Sequence, residues 1–158
     1  IREIYVFINM DMELRKPAKG YAVDFDTTNC FGVTLTMKQR VNNQSLDNIA
    51  SSRNLRHFLN VLNKKCFGNA YKRFNKRLRV FPSLERSSDG RWHYHLTLEN
   101  PYPNNPIKFE RMIESAWFKT SYGYRRIDIN HSINEGWGDY ITKFNHRDNE
   151  IDWANLSS

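Results

Sequence analysis

Residues 80–99 read VFPSLERSSDGRWHYHLTLE, and this stretch decides the fold because it predicts a β-hairpin. Two strand-like runs flank the segment SSDG at 87–90, whose small and polar residues are typical of a turn. A three-residue loop that ends with Gly90 in the left-handed conformation sets the pairing of the two runs. In that register Glu85 lies directly opposite His93.

The second run carries a His-Tyr-His sequence that is suited to metal binding. Side chains alternate along a strand, so His93 and His95 point to one face, about 7 Å apart at ~3.3 Å per residue. Glu85 shares that face, since the Cβ atoms of cross-strand partners lie roughly 5 Å apart. Two nitrogens and a carboxylate oxygen suit Mn²⁺ or Mg²⁺, or Zn²⁺ in a tetrahedral site. The alternative is a chance His-x-His on a half-exposed strand.

The bulk composition is that of one folded domain spanning residues 1–158. The chain has 158 residues, of which 39% are hydrophobic and 14% aromatic. A chain of this length and composition can bury a hydrophobic core without disulfides or structural metal ions. It has two cysteines, Cys30 and Cys66, which form no disulfide framework and indicate a reducing compartment. No apolar run approaches the ~20 residues of a membrane span, so we expect no membrane partner.

A long basic segment predicts contact with a polyanion. The net charge is +7, and no acidic residue occurs between Asp47 and Glu85. Within this interval Tyr71 and Phe74 are interleaved with cations and could stack on exposed bases. The alternative is a solvated face, although solvated faces usually mix charge signs. The candidate DNA-binding residues are Lys72, Arg73, Lys76, Arg77 and Arg79.

The remaining elements predict an α+β fold. Periodicity of two or of 3.6 residues and capping signals indicate strands at 4–8, 31–37 and 124–131 and helices at 52–68, 106–117 and from Ile133 onward. The 1–28 segment is otherwise unassigned. This order predicts a ferredoxin-like (RRM-like) split β-α-β arrangement, with a central antiparallel sheet, helices packed on it and a C-terminal helix that carries Tyr140 and Lys143.

Three separated segments resemble the motifs of the HUH endonucleases, in particular the single-tyrosine replication initiator (Rep) proteins of rolling-circle replicons. Residues 31–36, FGVTLT, look like the mainly structural first motif. His93-Tyr94-His95 is similar to the metal motif, with Glu85 at the place of the third ligand. Tyr140-Ile141-Thr142-Lys143 resembles the Tyr-x-x-Lys motif. The second tyrosine of the two-tyrosine branch is replaced by Phe144.

The resemblance implies a metal-dependent, sequence-specific endonuclease and ligase that acts on single-stranded DNA. Tyr140 would attack the scissile phosphate and keep the 5′-phosphate, while the free 3′-hydroxyl primes rolling-circle replication. Glu85, His93 and His95 would hold Mn²⁺ or Mg²⁺. Lys143 would stabilise the phenolate, orient the phosphate or protonate the leaving oxygen. The expected substrate is an origin hairpin or loop, and a helicase domain or host helicase is an expected partner.

Two other functions fit the sequence. A non-catalytic module that binds single-stranded nucleic acid would use the same sheet, since fold does not fix function. A single-tyrosine transposase or relaxase would use the same chemistry. The protein is expected in the cytoplasm of a bacterial, plasmid or phage system, or in the host nucleus for a eukaryotic virus. Asp139 is a weaker candidate for a residue near the metal, and Tyr122 and Tyr124 are weaker candidates for the nucleophile. The remaining histidines are expected to be structural or exposed: His57, His131 and His146.

Overall fold

The structure is a computed structural model that describes residues 25–134, 136–141 and 149–157. Seven strands and four helices occur in these residues. In chain order they are β1 (Cys30–Met37), β2 (Arg40–Val41), β3 (Gln44–Ser45), α1 (Asn48–Phe67), α2 (Asn69–Phe74), β4 (Val80–Arg86), β5 (Trp92–Glu99), α3 (Pro106–Phe118), β6 (Gly123–Asn130), α4 (Gly136–Ile141) and β7 (Asn149–Ile151).

Five strands form one antiparallel sheet in the order β6-β1-β5-β4-β7. Strands β1 and β4 are joined through α1, and β5 and β6 through α3, which gives the split β-α-β order with β7 added at one edge. The predicted α+β, ferredoxin-like class is confirmed. A separate hairpin, β2 and β3, turns through Asn42 and Asn43, both with positive φ, as a two-residue type I′ turn requires.

The main core lies between one face of the sheet and helices α1 and α3. The predicted stripe Leu55, Phe58, Leu59 and Leu62 is buried on α1. The helix begins at Asn48 rather than near Ser52 because the Asp47 carboxylate caps it, accepting the N–H of Ala50 at 2.7 Å. It ends before Gly68, as predicted; this glycine has a positive φ of +53°, which glycine adopts readily, although its ψ of −125° is not that of the left-handed helical conformation.

Helix α3 also matches its expected boundaries. The Asn105 side chain accepts the N–H of Lys108, and Pro106 occupies the first turn. Trp117 is fully buried and donates its indole N–H to the carbonyl of Thr36 at 3.1 Å. No helix in the described ranges is long and apolar enough to cross a bilayer.

Four details differ from the sequence prediction or lie outside it. The basic segment contains the short helix α2, and β7 was not expected. Ile133 and Asn134 are not helical, the described part of helix α4 is Gly136–Ile141, and the Asn134 side chain accepts the Gly136 N–H at 3.0 Å. Glu135 of the expected capping box, the predicted strand at 4–8, Lys143, Phe144 and His146 lie outside the described residues.

The opposite face of the sheet carries a smaller apolar cluster and a polar patch. Phe25, Cys30, Phe81, Ile141 and Ile151 form the apolar cluster. Along the same face of β1, β4 and β5 lie the side chains that make up the candidate site.

Candidate metal centre and nucleophile

The β4–β5 hairpin brings together three potential metal ligands. Glu85 pairs with His93 as predicted, and Gly90 has a φ of +82° at the turn. The Nε2 atoms of His93 and His95 lie 3.2 Å and 2.8 Å from the same Glu85 oxygen, Oε2. One potential ligand atom from each of the three residues lies within 4.8 Å of the other two. The group could therefore hold a metal ion.

The donor set fits a divalent metal. Each side chain offers one borderline or hard ligand atom, and only three protein ligands converge, so further positions remain for water or substrate. His95 is 5% exposed, whereas Glu85 and His93 are half-buried, so the group is open on one side. This openness is typical of a catalytic rather than a structural metal site.

Thr34 supports the buried histidine from behind. It pairs with His95 across β1 and β5, and its Oγ1 lies 3.0 Å from His95 Nδ1. A hydrogen bond at one ring nitrogen orients the imidazole and leaves the other, Nε2, directed at the metal position. The threonines of this strand were expected to be mainly structural. The β1–β5 register is the signal that reveals the additional role of Thr34.

The electrostatics favour an ionised carboxylate at the centre. Hydrogen bonds from His93 and His95 hold the pKa of Glu85 well below its usual range, against a smaller opposing effect of burial. A carboxylate that stays charged near neutral pH is the form that binds a metal ion.

The candidate nucleophile lies beside this cluster. The ring of Tyr140, on α4, is 5.4 Å from the ring of His95 at an interplanar angle of 74°. Tyr140 is 47% exposed, so its phenol is accessible to a substrate. The structure thus brings together four residues that were predicted from separate segments of the sequence: Glu85, His93, His95 and Tyr140.

Helix α4 is held on the sheet by contacts with the strands that carry the cluster. Trp137 donates its indole N–H to Thr97 Oγ1 on β5 at 3.0 Å. Ser83 of β4 donates its hydroxyl to the Ile141 carbonyl at 2.8 Å. Gly32 of β1 lies under the indole, where an added Cβ would approach Trp137 Cζ2 to 2.9 Å. None of these three anchors was anticipated from the sequence.

The structure also describes most of the weaker candidates. Asp139 is exposed on α4, Tyr122 packs partly against the main core, and Tyr124 is exposed at the start of β6. His57 is exposed, and His131 pairs with Glu110. Lys143 lies outside the described residues, so its role stays a prediction. Both cysteines are free, as expected.

The predicted DNA-binding cations surround α2 and the beginning of β4. Lys72, Arg73, Lys76 and Arg77 are exposed, and Arg79 is half-buried. Arg79 precedes Glu85 by six residues, roughly 20 Å along an extended strand. These cations therefore lie at the end of β4 away from the hairpin turn.

Comparison with protein families gives one match, which covers most of the chain. The family model of the replication-associated protein ORF2 matches residues 29–151. This range includes β1, the β4–β5 hairpin and α4. No curated protein and no solved structure matched the chain.

Proposed function

We propose, from the premise that the chain belongs to the replication-associated protein ORF2 family, that it initiates replication by nicking single-stranded DNA through Tyr140. Membership supports a role in replication initiation, and the nicking chemistry is our proposal. The observation that carries it is the 5.4 Å approach of the Tyr140 ring to His95, within a cluster that could bind a metal ion.

Glu85, His93 and His95 would hold the divalent ion, with Mn²⁺ or Mg²⁺ as the preferred identities. When bound, the ion would supply Lewis-acid polarisation of the non-bridging oxygens of the scissile phosphate. Other residues of the chain would orient the ligands and position the nucleophile. The buried His95 is oriented by Thr34, and Trp137 and Ser83 position the helix of the nucleophile.

In the proposed step the Tyr140 phenol loses its proton and its oxygen attacks phosphorus. The bond from phosphorus to the 3′-oxygen breaks, so the 5′-phosphate becomes bonded to the tyrosine and the departing 3′-oxygen takes up a proton. Lys143 is proposed to stabilise the phenolate, orient the phosphate or donate that proton. Because the phosphodiester bond is exchanged rather than hydrolysed, the reverse reaction joins the ends.

The decisive experiment is a search for the covalent adduct. The protein is incubated with single-stranded DNA of its replicon origin and Mn²⁺, and the mixture is denatured. We expect a protein species that has gained the mass of the 3′ fragment, with the modification mapped to Tyr140.

Tyr140→Phe should bind the same DNA without forming the adduct, and Tyr122→Phe, which removes a tyrosine hydroxyl elsewhere in the chain, should form it normally. Tight binding of origin DNA without cleavage would favour the non-catalytic binding module. An adduct on another tyrosine would retain the chemistry and refute the site.

A further inference from the structure

A groove at one end of the sheet opens directly beside the metal-ligand cluster. The ends of β1, β5 and β6 and the β4–β5 turn enclose a volume of about 890 Å³, and His93 forms part of its wall. Pockets of about 300–1,000 Å³ enclose drug-sized ligands, so the groove has room for a nucleotide. Neither the sequence motifs nor the family match assign a role to it.

The lining of this groove combines positive charge with an exposed aromatic ring. Its cations are Lys38, Arg91, Arg125 and Arg126, and its acid is Asp89, whose carboxylate accepts the backbone N–H of Arg91 at 3.2 Å. Tyr124 lines the same wall and is 51% exposed. Cations that neutralise phosphates, beside an aromatic face on which a base can stack, are characteristic of single-strand binding.

An adjoining pocket extends the same surface away from the cluster. It has a volume of about 600 Å³, shares Lys38, Tyr124 and Arg125 with the groove, and adds Phe118. Phe118 is 48% exposed. Two exposed aromatic rings and shared cations therefore form one path that begins at His93 and runs past Tyr124.

Two cations of the basic segment, Arg77 and Arg79, are engaged with other side chains of the protein, and the segment lies at the end of β4 away from the cluster. Arg77 stacks over Tyr71, with 4.9 Å from its Cζ to the ring centroid, and bonds to Asn75. Arg79 forms ion pairs with Asp26 and Glu99. In the groove, by contrast, no carboxylate of residues 25–134, 136–141 or 149–157 forms an ion pair with Lys38, Arg125 or Arg126.

The groove and the nucleophile lie on opposite sides of the cluster. Along one face of β5, Thr97 contacts Trp137 of α4, His95 contacts Tyr140, and His93 lines the groove. In an in-line displacement at phosphorus the attacking and leaving oxygens are on opposite sides. An attack from the Tyr140 side therefore directs the leaving 3′-oxygen toward His93 and the groove.

We propose that this groove binds single-stranded DNA on the 5′ side of the scissile phosphate, the strand that departs with the 3′-hydroxyl. The inference rests on the proposed function for its polarity, while the charge and aromatic lining of the groove support DNA binding independently. Retention of the 3′ end in the groove keeps it available for the reverse, joining step.

The first test measures binding without chemistry. Proteins carrying Tyr140→Phe are titrated, in EDTA, against a short fluorescein-labelled oligothymidylate, and anisotropy gives the affinity. Adding Tyr124→Ala should weaken binding by roughly 5- to 150-fold, the loss of one stacked base, and Tyr124→Phe should restore it. The double variant Arg125→Ala, Arg126→Ala should bind with a weaker salt dependence: the slope of log affinity against log salt concentration should fall in magnitude by about 0.7 for each phosphate contact that is lost.

The matched control is Lys108→Ala with Arg111→Ala, which removes the same charge from exposed positions of α3 that do not line the groove or the adjoining pocket. We expect it to bind nearly as the parent does. If this control loses affinity while the Tyr124 and arginine variants bind like the parent, the groove is not the binding surface and the proposal is overturned. Tyr140 chemistry is not involved in either result.

The second test fixes the polarity. Origin strands with 5-iodouridine immediately 5′ or immediately 3′ of the nick are bound to the Tyr140→Phe protein and irradiated, and crosslinked peptides are identified. The 5′-side probe should crosslink in the groove, at Tyr124 or Trp92. Crosslinking there by the 3′-side probe alone would overturn the polarity. A wild-type protein that forms no tyrosine adduct would refute the proposed function, whatever the groove variants show.

Discussion

Replacing Thr34 by valine should weaken metal binding although Thr34 is not a ligand. Its hydroxyl lies 3.0 Å from His95 Nδ1, in a ring that is 5% exposed. Without metal, the Glu85 carboxylate can only accept, so His95 donates Nε2–H to it and Nδ1 accepts the Thr34 O–H. With metal at Nε2, the proton must move to Nδ1, and the same hydroxyl then accepts. Threonine serves both tautomers, whereas valine serves neither.

The magnitude follows from this buried contact. Loss of an outer partner of a metal-bound histidine typically lowers metal affinity by about 10- to 100-fold, or roughly 1.4–2.7 kcal/mol. The valine also leaves a buried ring nitrogen without this partner, which costs about 1–3 kcal/mol of folding free energy. Mn²⁺ affinity is measured by calorimetry on folded protein, and urea unfolding in EDTA gives the stability.

Two variants isolate the hydroxyl. Thr34→Ser keeps it and should restore most of the Mn²⁺ affinity. Thr36→Val removes a hydroxyl on the same strand that bonds to the Arg126 carbonyl instead, and should leave Mn²⁺ affinity unchanged. If folded Thr34→Val binds Mn²⁺ as tightly as wild type, the orienting role is wrong. If wild type itself binds no Mn²⁺ and His95→Ala changes nothing, the cluster is not a metal site.

Two further predictions concern the packing and the charge of the site. Gly32→Ala should destabilise the fold by about 1–3 kcal/mol in urea unfolding, because its Cβ would lie 2.7 Å from Ile133 Cγ2 and 2.9 Å from Trp137 Cζ2. Trp137→Phe lacks the colliding indole atoms, so the double variant should recover part of this loss. If the unfolding free-energy changes of the two single variants simply add in the double variant, the steric explanation is wrong. The lowered pKa of Glu85 implies a stabilisation that is complete above its ordinary value of 4.5 and is lost as the pH falls toward the depressed value. In EDTA, the free energy of unfolding of wild type should therefore fall more steeply below about pH 4.5 than that of Glu85→Gln, and parallel pH profiles would show that the two imidazoles do not stabilise the carboxylate.

The hairpin and its ligands could be predicted from sequence because the determinants are local. The turn residues set the register, and the register sets which side chains share a face. A turn of the expected length therefore places Glu85 opposite His93. The helices were predictable for a similar reason, since apolar spacing and capping residues are found within one segment of sequence. The start of α1 was nevertheless predicted several residues too late, because its cap is Asp47.

The parts that were missed depend on contacts between distant segments. Thr34 meets His95 only through the pairing of β1 with β5, and the groove arises where the ends of three strands meet. The described residues of strand β7, Asn149–Ile151, pair with the edge of β4. Three residues are too few to show a periodicity that distinguishes a strand from a loop.

The placement of the nucleophile is itself a tertiary effect. The described part of helix α4, Gly136–Ile141, is anchored on two strands of the sheet. Trp137 donates to Thr97 of β5, and the Ile141 carbonyl accepts from Ser83 of β4. Thr97 lies two residues beyond His95 on the same face of β5. Strand β5 thus carries two of the three candidate metal ligands and one of the two anchors of α4, which couples the position of Tyr140 to that of His95.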